Sequence, residues 1–316
     1  MKLITTDELG ISKFFSLTLN SSVPKTQRVL DEKPVLPDDL EMGRGNGITA
    51  MWGWWEGEEG EGGQQSEGGE RYSLGRLGPS VEIWGINGGK GKEYTGNMIR
   101  RYDLFSPDGG EGGGLDAKEG DKVLALWGKG QGVTTALMEG GRIYRVGEGV
   151  GRGYECLYGG GLVAPVPPVN RRSKSKDGNT PVTAGRFFED GGKVRVAVGG
   201  RDREVLIWDV ENGKEVWRGK NVKEDARTLL QKELWQTAVD IRGGNRLAVG
   251  TAFGELRVYD VRAQRRPTGV TKKGVVENRV TSVAWRDGCE GRVVVGDSKG
   301  YVLEVDERMG MKVVRR

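Results

Sequence analysis

The sequence predicts an all-β protein of β-propeller type, and three observations predict it. One pattern is written twice, end to end, between Val182 and Thr271. Each copy holds a short alternating strand, a glycine turn, an apolar strand ending in Gly, and a tight turn. A third strand then closes on an aromatic–Asp pair, Trp208–Asp209 in one copy and Tyr259–Asp260 in the other, before a charged turn and a fourth strand. Four short strands in a unit of just over 50 residues describe a propeller blade rather than a solenoid turn. Glycine makes up 55 of 316 residues. Some of it is turn chemistry, since a fold of short strands needs many positions free to take positive φ; the rest is low complexity, as in Glu56–Glu70 and Asp108–Gly114.

Taken in order, Lys2–Leu19 gives two strands joined at Glu8–Gly10, the middle of a blade without its first strand. Ser21–Met42, with Pro24, Pro34 and Pro37, is a connection of weak strand character. Ile48–Trp55 (ITAMWGWW) opens the next blade. Tyr72–Ile86 supplies its turn and third strand, with Trp84–Gly85 in the aromatic–Asp slot, and Glu93–Phe105 its outer strand. Lys122–Val146 holds three strands separated by Gly128–Gly132 and Glu139–Gly141, with Tyr154–Tyr158 as the fourth. After the two clear copies, Arg279–Arg316 forms a further unit, with Val305–Asp306 in the pair position. Val222–Trp235 between the copies contains one short helical stretch. The strands VRVAV, RLAVG and RVVVG are nearly all apolar, as expected where both faces of a sheet are covered. The expectation is one propeller domain over residues 1–316. Low-complexity or proline-rich insertions fall at 56–70, 106–120 and 164–181.

Composition narrows the chemistry. There is no histidine, which removes Ser-His-Asp and Cys-His catalysis and histidine metal sites together. Cys156 and Cys289 provide neither a disulfide framework nor a thiol metal cluster, so a reducing, intracellular compartment is expected. Met1–Gly10 lacks the apolar core of a secretory signal, and no run of 18 apolar residues spans a bilayer. The glycine patterns at 128–132 and 147–153 lack the strand–loop–helix setting and the Gly-Lys-Ser/Thr ending of phosphate loops. The expectation is therefore no enzyme, no cofactor, no metal, no small-molecule substrate and no membrane. Net charge is +4, but residues 165–316 carry 31 basic and 21 acidic side chains, an excess of ten. A basic half implies a polyanionic neighbour, nucleic acid first, or else a well-solvated surface.

The aromatic–Asp endings resemble those of WD repeats, although the Gly-His pair that usually begins a WD repeat is absent. Four segments carry a narrower resemblance: Trp208–Val222 (WDVENGKEVWRGKNV), Gly250–Val261 (GTAFGELRVYDV), Arg265–Pro267 and Val294–Asp306 (VVGDSKGYVLEVD). In this order and spacing, with the opening LITTDELG, they resemble the nucleolar, Nop7-associated WD-repeat factors of large (60S) ribosomal subunit assembly. The resemblance is close over roughly the last 140 residues and covers the first half only in layout. It implies a seven-bladed WD-repeat β-propeller, of which six blades are visible. The chain ends at Val314–Arg316, where the seventh would begin, so a closing C-terminal segment is expected to be absent from it. It also implies a non-enzymatic scaffold of ribosome biogenesis and rRNA processing in the nucleolus and nucleus. Its partners would be the pre-60S particle, both pre-rRNA and neighbouring assembly factors, and an AAA-type ATPase that later releases it. The alternative is a WD-repeat adaptor of another nuclear complex, chromatin or ubiquitin ligase, that binds peptide motifs.

Candidate sites follow from position. Trp84, Trp208, Tyr259 and the paired Asp209, Asp260 and Asp306 are read as structural: the ring packs between blades and the carboxylate accepts turn hydrogen bonds. Asp202 and Asp297, in the turns before third strands, are read the same way. Lys214–Val222 and Ala263–Thr271 occupy one slot in consecutive repeats. Arg218, Lys220 and Asn221 should therefore lie near Arg265 and Arg266, either as a basic patch for phosphate oxygens or an acidic partner, or as a solvated rim. Arg171, Arg172, Lys174 and Lys176 lie in a proline-flanked basic loop: an import signal, an RNA-contacting tail, or neither.

Overall fold

A computed structural model describes residues 2–6, 12–16, 33–35, 48–56, 69–76, 79–87, 95–104, 121–128, 133–147, 150, 154–158, 181–223, 232–272 and 274–315. Among these residues there is no helix, and 23 strands form six antiparallel sheets. The chain divides into two compact units, Met1–Met138 with Ile143–Cys156, and Glu139–Arg142 with Leu157–Arg316.

In the first unit, β1 (Lys2–Thr6), β2 (Ser12–Ser16) and β3 (Lys33–Val35) form a three-stranded sheet. The expected N-terminal pair is there, and the proline-containing connection adds the third strand. β4 (Ile48–Glu56), β5 (Gly69–Arg76), β6 (Ser80–Asn87) and β7 (Thr95–Asp103) make a four-stranded sheet in chain order, and β8 (Val123–Gly128), β9 (Val133–Met138), β10 (Ile143–Gly147) and β11 (Tyr154–Tyr158) make another. The insertion predicted over 56–70 is shorter than expected, because Glu56 closes β4 and Gly69 and Glu70 open β5. The core joins the two four-stranded sheets: Val81, Ile83 and Tyr102 pack with Val123, Leu126 and Tyr144.

The second unit holds three four-stranded sheets in chain order: β12 (Val182–Asp190) to β15 (Lys214–Arg218), β16 (Gln236–Arg242) to β19 (Gly269–Val270), and β20 (Val280–Trp285) to β23 (Lys312–Arg315). Between lie β13 (Lys193–Gly200), β14 (Arg203–Asp209), β17 (Arg246–Thr251), β18 (Leu256–Asp260), β21 (Arg292–Asp297) and β22 (Val302–Asp306). Each core is a seam between neighbouring sheets. Ala197, Val205 and Ile207 meet Val239, Leu247 and Val249 in one seam. Ala248, Leu256 and Val258 meet Val280, Val293 and Val295 in the next. β17 is therefore covered on both faces, which is why Leu-Ala-Val runs without alternation.

The repeat is visible in the backbone register. The first strand of every four-stranded sheet carries a bulge at the same place against the second: Ile48/Ala50, Val123/Ala125, Val182/Ala184, Gln236/Ala238 and Val280/Ser282. In four of the five, the residue after the bulge faces glycine: Gly75, Gly199, Gly250 and Gly296. A Cβ on Gly75 would sit 2.5 Å from Val123 Cβ of the following sheet, and one on Gly250 would sit 2.8 Å from Val280 Cβ. The strand-ending glycine of the sequence pattern is thus where the next sheet presses in.

The aromatic–Asp slot repeats in the same way. Trp84 faces Tyr72, Trp208 faces Val196, Tyr259 faces Leu247 and Val305 faces Val293. Tyr259 packs edge-on against Trp217 of the preceding sheet, 5.8 Å between ring centroids. The turn before the third strand needs a left-handed residue, met by Asp202 (φ 55°), Gly254 (φ 70°) and Gly300 (φ 85°). The helical stretch expected within Val222–Trp235 falls largely on residues 224–231, outside the described residues; the flanks 222–223 and 232–235 are not helical.

Candidate partner-binding rim

β15 is the outer strand of its sheet, and residues 219–222 continue from it along the outside of the next. There they meet residues 261–268, the connection from β18 to the short β19. Lys220 N donates to Arg265 O at 2.7 Å, Arg265 Nε to Arg218 O at 2.7 Å and Arg266 Nη1 to Asn221 O at 2.9 Å. The two basic stretches are therefore neighbours, as their equivalent slots require.

Their charges are not equivalent. Arg218 is held by Glu215, with Nε donating at 3.0 and 3.1 Å and Nη2 also engaged. That hydrogen bond first, against some desolvation, draws the Glu215 carboxyl below its usual range. Most of the Arg218 charge is thereby offset. Lys220, Arg265 and Arg266 are exposed, and none has an ion-pair partner among the described residues. The basic rim is thus narrower than the sequence implies, three cations rather than four.

Asn221, expected as a partner contact, is a correction. Its side chain is 3% exposed. Nδ2 donates to Lys232 O at 2.6 Å, while Oδ1 accepts from Val222 N at 2.8 Å and Arg257 Nη1 at 2.9 Å. Three of its four hydrogen-bonding positions are used within the fold, because the amide spans the gap between two sheets. Arg171, Arg172, Lys174 and Lys176 lie outside the described residues.

The turn carboxylates of the repeat accept hydrogen bonds from their own turns. Asp209 Oδ1 accepts from Glu211 N and Asn212 N at 3.0 and 2.9 Å. Asp260 Oδ1 accepts from Arg262 N and Ala263 N at 3.0 and 3.2 Å, and Asp306 Oδ1 from Arg308 N at 2.9 Å. Asp297 Oδ1 accepts from Lys299 N and Tyr301 N, both at 2.9 Å. Asp202, through its backbone N–H, donates to Leu234 O at 2.7 Å. Trp84 donates through Nε1 to Glu82 Oε2 at 3.1 Å, and Trp208 is buried. Burial pushes the four turn carboxyls Asp209, Asp260, Asp297 and Asp306 up in pKa. Hydrogen bonds from the turn backbones and from the side chains of Asn212, Arg246, Asn278 and Arg308 outweigh it and leave each below the ordinary range.

Sequence reasoning missed a second arrangement. Arg201 and Arg279 both lie over the indole of Trp235, 4.8 and 5.2 Å from its centroid. Trp235 and Arg279 each precede the first strand of their sheets, so laying the repeats side by side shows a Trp and an Arg in one slot. Among the described residues, no group of three or more His, Cys, Asp or Glu is arranged to hold a metal ion, and no helix is long and apolar enough to cross a membrane.

No protein-family model matches the chain. Human WD repeat-containing protein 74 is 34% identical over 118 residues, 36% of this chain and 30% of the relative. The mouse protein of that name is 34% identical over 119 residues, with the same coverage. The match spans less than a third of these relatives' length. Among solved structures, Chaetomium thermophilum Sqt1, bound to the N-terminus of the ribosomal protein L10, has a TM-score of 0.54 at 13% identity, covering 99% of this chain and 71% of that one. U3-55K has a TM-score of 0.58 at 10% identity, covering 99% and 77%. The structural likenesses show the fold, an all-β β-propeller, and over about 118 residues the chain is similar in sequence to WD repeat-containing protein 74. None of the names mentions an AAA-type ATPase, so that expected partner gains no support from them.

Proposed function

We propose that this WD-repeat protein is a non-enzymatic scaffold in nucleolar assembly of the large ribosomal subunit, docking on pre-rRNA and neighbouring assembly factors. The observation that carries this is the rim, where the Lys220 and Arg265 backbones are hydrogen-bonded and the Arg265 and Arg266 guanidiniums strap the carbonyls of Arg218 and Asn221. A row of cations without close ion-pair partners among the described residues suits phosphate oxygens or an acidic surface. Two of them are anchored by their guanidiniums, so less of the geometry has to be organised at the moment of binding. The resemblance of Trp208–Val222, Gly250–Val261 and Val294–Asp306 to the nucleolar assembly factors supplies the setting. Sqt1, which shares the fold, is bound in its structure to a ribosomal protein, and a ribosomal partner is part of the proposal here.

The test uses Lys220→Glu in cells that otherwise lack the protein. Arg265 and Arg266 are left in place because their guanidiniums also strap the Arg218 and Asn221 carbonyls. The expected result is weakened co-sedimentation with large-subunit precursors at an unchanged melting temperature. Normal co-sedimentation of the folded variant would make the rim a solvated edge. Co-purification with chromatin or a ubiquitin ligase, free of ribosomal proteins, would replace the reading with that of another nuclear adaptor.

A further inference from the structure

The strands of the second unit run so that three β-turns share one face with the segments leading into β16 and β20. These turns join β13 to β14, β17 to β18 and β21 to β22. Hydrogen bonds stitch this face into one layer. Asp202 N donates to Leu234 O at 2.7 Å, Ala252 N to Trp235 O at 2.9 Å and Ser298 N to Arg279 O at 2.9 Å. Gly254 locks the middle turn onto the segment before β20, where a Cβ would sit 3.0 Å from Asn278 O and closer still to Val276 O. Loops held this firmly present side chains without having to order them on binding.

Arginine and aromatic side chains stand out on this face, beside the ion-paired Glu255 and Lys232 and the exposed Glu233 and Glu277. Arg201 and Arg279 share the Trp235 indole, which holds two planar cations in place. Arg201 has Asp202 at 4.0 Å; Arg279 has no carboxylate partner among the described residues. Phe253, one residue from the Ala252–Trp235 bond, is 49% exposed, and Tyr301 in the next sheet's turn is 63% exposed. Two rings in water on turns bonded to the segments that carry Trp235 and Arg279 have no packing role within the fold. The basic rim lies on the outer strands, so this face is a separate surface.

We propose that this turn face binds an unpaired nucleic-acid strand, with bases stacked on Phe253 and Tyr301 and phosphates held by Arg201 and Arg279. An acidic peptide would satisfy the arginines but leave both rings in water. A single strand uses both, because every base has a π-face and every nucleotide a phosphate. The proposal goes beyond the rim reading and does not rest on it.

The test measures binding of the full chain to three 12-residue probes: oligouridine, oligodeoxythymidine and an abasic strand with the same phosphates. Phe253→Ala is expected to weaken binding of the base-bearing strands by roughly 5- to 150-fold, the worth of one stacked base. It should leave the abasic strand unaffected. Arg201→Ala with Arg279→Ala should lower the salt slope by about 0.7 for each phosphate that the protein no longer neutralises. Phe253→Leu, which keeps the apolar bulk without the π-face, should behave as Phe253→Ala and guards against a folding artefact. The ratio of the two base-bearing strands tells RNA from DNA. Lys220→Glu should leave the stacking-dependent part intact, so failure here and failure at the rim are separable. Equal binding of all three strands, insensitivity to Phe253, or displacement by a polyglutamate peptide with the same residue dependence would each overturn the proposal.

Discussion

Arg257 donates through Nη1 to Asn221 Oδ1 at 2.9 Å, joining residues 36 positions apart on neighbouring sheets. The guanidinium is 1% exposed, and its other nitrogens reach Glu255 Oε2 at 3.1 and 2.8 Å. A buried cation is tolerable only when each donor finds an acceptor. Asn221 is therefore a brace for the seam, held at its other end by the Lys232 carbonyl.

Asn221→Ala is expected to cost about 1–3 kcal/mol, because it leaves a buried donor on Arg257 and the Lys232 carbonyl without partners. Urea denaturation measures this. An unchanged midpoint would mean that water replaces the amide, and Asn221 would again be a candidate for binding a partner.

A related arrangement occurs in the first unit with the signs exchanged. Glu82, at the position equivalent to Arg257, is fully buried and accepts from Arg76 Nε at 2.7 Å, Arg76 Nη2 at 2.8 Å and Trp84 Nε1 at 3.1 Å. Glu82→Leu should destabilise by about 3–5 kcal/mol, since a buried guanidinium loses the carboxylate that accepts from two of its nitrogens. Glu82→Leu with Arg76→Met should recover most of that loss. If the double variant is no better than the single one, the pair is not the reason for the cost.

What the sequence revealed and what it hid differ in physical kind. The two copies, the glycine before each turn and the aromatic–Asp ending are local patterns whose causes are backbone geometry and burial. Each appears in the register at its expected place. The adjacency of Lys220 with Arg265 was also legible, because equal slots in consecutive blades must be near one another. Hidden were the pairings. Nothing in RGKNV distinguishes Asn221, which turns inward to Arg257, from Lys220, which stays in solvent. Arg218 looks free until Glu215, three residues back across an outer strand, folds onto it. The Arg201–Trp235–Arg279 cluster draws on three segments spread over nearly 80 residues, and only the fold brings them together.

Acid should unfold the protein through its turn carboxylates. Asp209, Asp260, Asp297 and Asp306 all have folded pKa values below their ordinary one. The stability they contribute is present above the unfolded value of 3.8 and is lost as pH falls through the folded values. Asp240 opposes them. Its burial raises its pKa, so its contribution is present below the unfolded value and is lost as pH rises through the raised one. Glu215, Glu255 and Glu304 are also held below their ordinary range and join the four. Together they outnumber the one, and denaturant midpoints should fall steadily below about pH 4. Asp260→Asn should flatten that fall. A steeper dependence in the variant would show that the turn does not hold the carboxylate as its charged form.

Gly250 provides the sharpest test of sheet-to-sheet packing. It faces Ala238 just past the bulge in its sheet, and its φ is not among the positive ones, so alanine meets no backbone strain. Conformation alone would predict a small gain in stability, because alanine restricts the unfolded chain. Space decides otherwise. A Cβ at this position would lie 2.8 Å from Val280 Cβ and 3.0 Å from Val283 Cγ2, and closer still to Val280 Cγ1. Val280 is fully buried in the seam between the second and third sheets and has nowhere to retreat. Gly250→Ala should therefore destabilise by about 1–3 kcal/mol. Adding Val280→Ala should relieve the clash, so the double variant should be more stable than the sum of its two single effects predicts. Strict additivity would mean that the sheets yield at this seam, and that the glycine at the end of each second strand answers to the turn rather than to the neighbouring blade.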